Sequence, residues 1–362
     1  MSATCAIVSA EAIQKTLNEG FAYDNMAPDS HETLRHILSP ENVAGAQVKM
    51  ITDRPSKTNP VKVIWDQRLG ADDVNEGRGE CVVDNDECDL SQTYNFDTTD
   101  AINSAFSVSP IDLAGTTEEN SAFVARKLLK HIGAVDAGTS RRLAETIAAE
   151  YGAWSTDTAN IRGAGVTADI LQVNDYIGTT GNPNPVLAQQ IRRAMGLTRI
   201  KGGVIAGGSA ILDYFERAFS RGQAQNGWDI TEMVGRYGFR ILDDLILADE
   251  LATVGGGATN AAIGLGGVIP LVFNLFANSY NAMNDSTNVA TVIYSPWTGL
   301  PLDLKINRAC AEDPWSITVT ATTKFITMPD ELYKAGDRLE RVKNLALINV
   351  TCDDLNPCLA EA

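Results

Sequence analysis

The chain is poor in the residues that enzymes and metal proteins most often use. It has three histidines and six cysteines in 362 residues, and the cysteines, at positions 5, 81, 88, 310, 352 and 358, never adopt the CxxC spacing of a structural zinc site. Cys81 with Cys88 and Cys352 with Cys358 are spaced to close small loops, but free thiols are the expected state in a cytoplasm. Positive charge is also scarce. Against 46 acidic side chains stand 29 basic ones, a formal net charge of -17, and such a field repels phosphates, which argues against a protein whose main task is gripping nucleic acid. Long lipid-like runs are missing too. Leu251 to Met283 carries no charge, yet Gly255, Gly256, Gly257, Asn260, Pro270, Asn274 and Asn278 make it too polar and too broken for a membrane helix. Met1 to Gly20 has no basic cluster ahead of an apolar stretch and carries Glu11, Lys15 and Glu19, so it does not read as a secretory signal.

Catalytic and cofactor patterns are each approached and missed. His31 and His36 lie in a polar stretch, and His131 reads as the end of a helix beside Lys130, where a cation favours the dipole. None adjoins a serine or cysteine in a recognised nucleophile context. Gly202 to Ala210 runs a strand through glycines into a helix as a phosphate loop does, but it lacks the Lys-Ser/Thr of a Walker loop, the GxGxxG order and a GxSxG elbow. Asp84, Asp86, Glu87 and Asp89 form one acidic cluster and Asp243, Asp244, Asp249 and Glu250 another; without the glycine of an EF-hand loop, both read as solvated edges. The chain is therefore expected to be no enzyme and to carry no cofactor and no metal.

What is present is organisation. Residues 1–45 are polar and weakly periodic and read as an arm. Ala46 to Phe106 breaks into short strands, including Val61 to Trp65, Cys81 to Val83 and Thr93 to Phe96, around the glycine- and acid-rich Gly70 to Gly79; this reads as a long hairpin with little apolar surface of its own. Thr116 and Glu119 form a capping box for a helix with Ala125, Leu128, Leu129 and Ile132 on one face and Gly133 as its stop. A second helix is expected over Thr139 to Tyr151 before Gly152, and a third opens at Asn184-Pro185 and closes at Gly196. Beyond Gly202 come a strand at Val204 and Ile205, a helix over Ser209 to Phe219, another capped by Asp229 and Glu232, and a strand at Phe239 to Leu242. Alternation marks strands at Val289 to Tyr294, Leu300 to Ile306 and Trp315 to Ala321, with a last strand at Leu345 to Val350. The fold class is α+β. Basic pairs at Arg126/Lys127, Arg141/Arg142 and Arg192/Arg193 read as wet helix faces or as contacts to acidic neighbours.

The run Val292-Ile293-Tyr294-Ser295-Pro296-Trp297-Thr298-Gly299-Leu300-Pro301-Leu302-Asp303, then Trp315 to Lys324, then Met328-Pro329-Asp330-Glu331-Leu332-Tyr333, resembles the closing region of major capsid proteins of tailed bacteriophages. That resemblance implies the Hong Kong 97-type capsid fold. It implies an N-terminal arm over residues 1–45, an extended loop over 46–108, a peripheral domain with a spine helix over 109–200, an axial domain over 201–290, and strands returning to the peripheral domain over 291–362. It further implies a subunit that self-assembles into hexamers and pentamers of an icosahedral head, with a scaffolding protein and a portal as partners. The head would enclose double-stranded DNA without sequence specificity, assemble in the host bacterial cytoplasm and need no membrane. On this reading Val63, Trp65, Arg68, Arg78, Arg126, Lys130, Trp297 and Arg338 are the candidate inter-subunit contacts. Alternatives are another virion component, an encapsulin-type shell, or a soluble enzyme with an unrecognised site.

Overall fold

The structure is a computed structural model and describes residues 31–39, 46–50, 60–65, 90–109, 120–155, 157–158, 161, 164–174, 176–177, 182–183, 187–198, 200, 202–208, 238–255, 260–275, 288–308, 313–327 and 344–351. In chain order the elements are α1 (Glu32–Leu38), β1 (Ala46–Met50), β2 (Pro60–Trp65), β3 (Leu90–Asn95), β4 (Ala101–Val108), α2 (Asn120–Glu150), β5 (Ala164–Thr167) and β6 (Ile170–Asn174). There follow β7 (Tyr176–Ile177), β8 (Asn182–Pro183), α3 (Leu187–Thr198), β9 (Val204–Gly207), β10 (Arg240–Asp243), α4 (Leu245–Leu251), β11 (Asn260–Ile263) and β12 (Val268–Phe273). The chain ends through β13 (Asn288–Tyr294), β14 (Pro301–Asn307), β15 (Trp315–Thr327) and β16 (Ala346–Thr351). This is an α+β fold in two compact units: Met1–Ser39, Phe96–Arg142 and Pro270–Lys324 form the first, and Pro40–Asn95, Leu143–Ile269 and Phe325–Ala362 the second.

In the first unit a sheet of order β12-β15-β14-β13, with β4 also on β15, carries the core. Its strands alternate because one face is dry. Ile317, Val319 and Ala321 on β15 and Leu304 and Ile306 on β14 are buried and cluster with Val124, Leu128, Ile132 and Val135 of α2, while Ser316 and Lys305 are exposed. The second unit has a mixed sheet of order β10-β9-β11-β16-β6-β5, and its core joins Ile191, Ala194 and Met195 of α3 to Leu171, Ala261 and Ile348. A buried amide pair crosses that sheet: Asn349 donates to Asn260 at 2.7 Å, and Asn260 donates to the Leu251 carbonyl at 2.9 Å, satisfying the last turn of α4. Strands β1, β2 and β3 form a separate antiparallel sheet in that order, with Trp65 paired to Ala46 and to Leu90.

Several expectations are corrected. The two helices separated at Gly133 are one, α2, which has 31 residues and runs through Gly133 and Gly138. A helical glycine costs about 1 kcal/mol, whereas each fully buried Leu or Ile contributes roughly 2 kcal/mol, and Leu128, Ile132, Leu143 and Ile147 all lie below 2% exposure. Gly138 also has a packing reason, since a Cβ there would meet Ile102 Cγ2 of β4 at 3.1 Å. Helix α3 passes Gly196 and ends at Thr198. Within Gly202 to Ala210 the glycines serve backbone contact: a Cβ on Gly203 would strike the Gly238 carbonyl, and one on Gly207 would stand 2.9 Å from Ala261 Cβ. Strand β4 pairs along its whole length with β15, so the end of the expected extended loop belongs to the first unit's sheet. The expected strand at Cys81 to Val83 and the helices at Ser209 to Phe219 and Asp229 lie outside the described residues.

Gly264 combines two demands, a φ of +77° and an absent Cβ that would strike the Asn344 carbonyl. Left-handed backbone and overpacking each cost roughly 1–2 kcal/mol. Gly264→Ala is therefore expected to lower stability in urea unfolding by about 3 kcal/mol, whereas Gly165→Ala, with open space around its Cβ, should be nearly neutral.

Candidate functional site

Helix α2 has a buried stripe at helical spacing, and the stripe turns polar in its middle: Ile132 and Val135 are followed by Asp136, Thr139 and Ser140, each 3% exposed or less. A polar group in such a place requires partners, and the first unit supplies them. The turn after β13, Ser295 to Leu300, is closed by Ser295 N–H donating to the Leu300 carbonyl at 2.9 Å and Gly299 N–H donating to the Ser295 carbonyl at 3.0 Å. Gly299 permits it with a φ of +74°. The Ser295 hydroxyl accepts from Trp297 N–H at 3.2 Å and Thr298 N–H at 3.3 Å and donates to Asp136 Oδ2 at 2.5 Å. The Thr298 hydroxyl accepts from Leu300 N–H at 3.2 Å and donates to Asp136 Oδ1 at 3.2 Å. One carboxyl thus holds the whole turn.

Three further contacts of α2 have the same character. Ser140 Oγ lies 2.9 Å from His31 Nδ1, which fastens the start of α1, whose Leu34 and Ile37 are buried. Ser104 Oγ on β4 lies 2.7 Å from His131 Nδ1, and that ring stacks on Phe106 at 4.4 Å; burial, with Lys130 as the smaller cause, pulls His131 below the usual histidine value. Arg142 donates to the carbonyls of Thr99, Asp100 and Thr323, while Asp100 accepts from Asp97 N–H at 2.8 Å and pairs with Lys324 at 3.7 Å.

These positions correct the sequence reading of the histidines and of Arg142. His31 is 7% exposed and not solvated, His131 lies inside a helix and not at its end, and Arg142 turns inward while Arg141 stays on the wet face. Both Ser–His pairs join elements of the first unit: Ser140 with His31 ties α2 to the start of α1, and Ser104 with His131 ties β4 to α2. Asp244, from the second acidic cluster, caps α4 by accepting from Leu247 N–H at 3.1 Å.

Of the residues singled out as inter-subunit contacts, Val63 and Trp65 belong to the second unit and Arg126, Lys130 and Trp297 to the first. Val63 is fully buried on β2 within its own chain, and Trp65 ends that strand. Arg126 and Lys130 are exposed on α2, Arg126 lying over the Phe123 ring at 5.7 Å. Trp297 is half-buried in the turn against the first unit's core. Arg68, Arg78, Arg338 and the first acidic cluster lie outside the described residues. Among the described residues no group of three or more His, Cys, Asp and Glu could hold a metal ion, and no helix is long and apolar enough to cross a membrane. The sequence carries one signal for the Asp136 clasp, an aspartate on the apolar face of α2, with Ile132 one turn before and Leu143 two turns after.

Burial raises Asp136 to about 7, against the smaller downward pull of the Ser295 and Thr298 hydrogen bonds. The unfolded chain ionises this carboxyl near 4 while the folded chain still holds the proton, so its contribution is intact in acid and is lost as pH rises to about 7, an effect of about 4 kcal/mol. Asp136→Asn, which mimics the protonated form, is expected to match the parent near pH 3 and to exceed it by roughly 2–4 kcal/mol at pH 8 in urea unfolding; parallel stability curves would contradict the assignment.

No protein-family model and no curated protein matches the chain. Solved structures do, and most of those named are phage capsid proteins. The capsid of cyanophage A-1(L) is similar at 13% identity, covering 89% of this chain and 93% of its own with a TM-score of 0.41. The capsid of Ralstonia phage GP4 is similar at 12% identity, with 83% and 86% covered and a TM-score of 0.38. The SrpI encapsulin of Synechococcus elongatus is similar at 14% identity, with 72% and 76% covered and a TM-score of 0.33.

Proposed function

We propose that this chain is a shell subunit that works by assembling with copies of itself, and that the shell is the head of a tailed bacteriophage with the Hong Kong 97-type fold. The observation that supports the reading is that β1, β2 and β3 form a sheet of their own, paired with neither larger sheet. Two units have dense cores, and in the β1–β3 sheet Val61 and Val63 are buried, Lys62, Ile64, Gln92 and Tyr94 are half-buried, and Thr93 and Asn95 are exposed. Three strands need an apolar face to stand alone. A small separate sheet with half-buried Ile64 and Tyr94 gains most by completing its burial on another copy.

Many modest contacts suffice in a closed shell, because each subunit is held by several neighbours at once. Hexamers and pentamers, a scaffolding protein and a portal complete the proposal. The excess of acid suits a wall that surrounds duplex DNA without gripping it. The particle would reside in the virion after assembly in the host cytoplasm.

Trp65→Ala and deletion of Gly70 to Gly79 are expected to leave a soluble subunit with unchanged circular dichroism and to cut the yield of closed particles, counted by electron microscopy, by at least about tenfold. Normal particle yields from both variants would remove the hairpin as the clasp between copies. Particles from the native source should protect duplex DNA from nuclease; a protein cargo in its place would assign the chain to cargo shells instead.

A further inference from the structure

We propose that Asp136, Ser295 and Thr298 form a proton-operated latch, closed on the Ser295 to Leu300 turn while the carboxyl is protonated and released as the proton leaves. The geometry sets two demands against each other. Both hydroxyls point their protons at the carboxyl, one to each oxygen, which suits an ionised acceptor. The side chain is also fully excluded from water, which disfavours charge. The conflict is resolved by opening: once the turn lifts, water solvates Asp136, its affinity for the proton falls to the ordinary carboxylate range, and one proton passes to solvent. Opening is thus linked to release of a single proton, and the open fraction grows by about tenfold per pH unit above pH 4 until the closed form also ionises. That plateau begins at about 7.

The neighbouring titratable and charged groups are accounted for. On α2 itself His131 is committed to Ser104 and Lys130 is exposed; on α1 His31 is committed to Ser140, with Glu32 and Arg35 in the same helix; on β14 Asp303 accepts from Leu275 N–H and Lys305 is exposed. None figures among the causes of the Asp136 shift, which are burial and the two hydroxyls. The turn contains no charged residue. The latch moves an exposed aromatic edge, because Tyr294 is 58% exposed at the foot of the turn and Trp297 lies within it. It stands whether or not the chain assembles, since every group belongs to one copy and one unit.

The N–H groups of Trp297, Thr298 and Leu300 all donate to the two latch hydroxyls, so their exchange reports opening directly. Hydrogen exchange of the full-length protein, corrected for intrinsic rates, is to be compared at pH 5.0 and 7.5 with Ala262 and Ile348 in the second unit's core as references. The expected result is at least a roughly 30-fold greater loss of protection at the three turn amides than at the references. Asp136→Asn should abolish that difference, and His31→Gln and His131→Gln should leave it. Thr298→Val removes a hydrogen bond that favours the ionised form and should move the midpoint to higher pH, which keeps the test decisive if the asparagine variant does not fold. Turn and reference amides changing in parallel in the parent protein would overturn the latch.

Discussion

The first unit depends on a buried polar stretch in the middle of its longest helix. Hydrophobic contact between α2 and the sheet is non-directional and fixes no single register. Hydrogen bonds at Asp136 and Ser140 do, since each is buried and a displaced partner would leave an unsatisfied group costing roughly 1–3 kcal/mol. Asp136 fixes the β13–β14 turn and Ser140 fixes α1. Arg142 adds the turn before β4 and the end of the first unit's part of β15. The helix is thereby the frame on which the other elements take their positions.

That frame was only half legible in the sequence. Strands β13, β14 and β15 announced themselves through period-two alternation against a single dry face, and the observed strands contain the expected ones almost entire. The length of α2 did not, because Gly133 carries the local chemistry of a stop while the reason it continues, burial of Ile132, Val135 and Leu143, is tertiary. Strand β9 was legible at Val204 and Ile205, but its end and β11 were obscure for a related reason: Gly207 and Ala261 are small because two backbones approach closely there, so the usual branched side chains of a strand are missing. The clasp was obscure because its members lie far apart in sequence, and only Asp136, out of place on an apolar face, gave a local hint.

A chain built this way commits its own polar chemistry to holding itself together. Ser140 and His31 are bonded in a buried pair and Ser104 and His131 in a half-buried one, and Asp244 of the second acidic cluster supplies the cap of α4. What the chain turns outward is surface: Arg126 and Lys130 on α2, the Tyr294 edge, and the separate β1–β3 sheet. Such surfaces suit a neighbour more than a substrate, which is the physical basis for reading the protein as one piece of a larger wall.

The most direct measurement of that claim is the mass of the purified recombinant protein at two concentrations by analytical ultracentrifugation, with negative-stain microscopy of the same samples. The account predicts species far heavier than one chain that grow with concentration and are seen as capsomers, tubes or closed shells. A monomer at both concentrations, unchanged when a scaffolding protein is supplied, would contradict it.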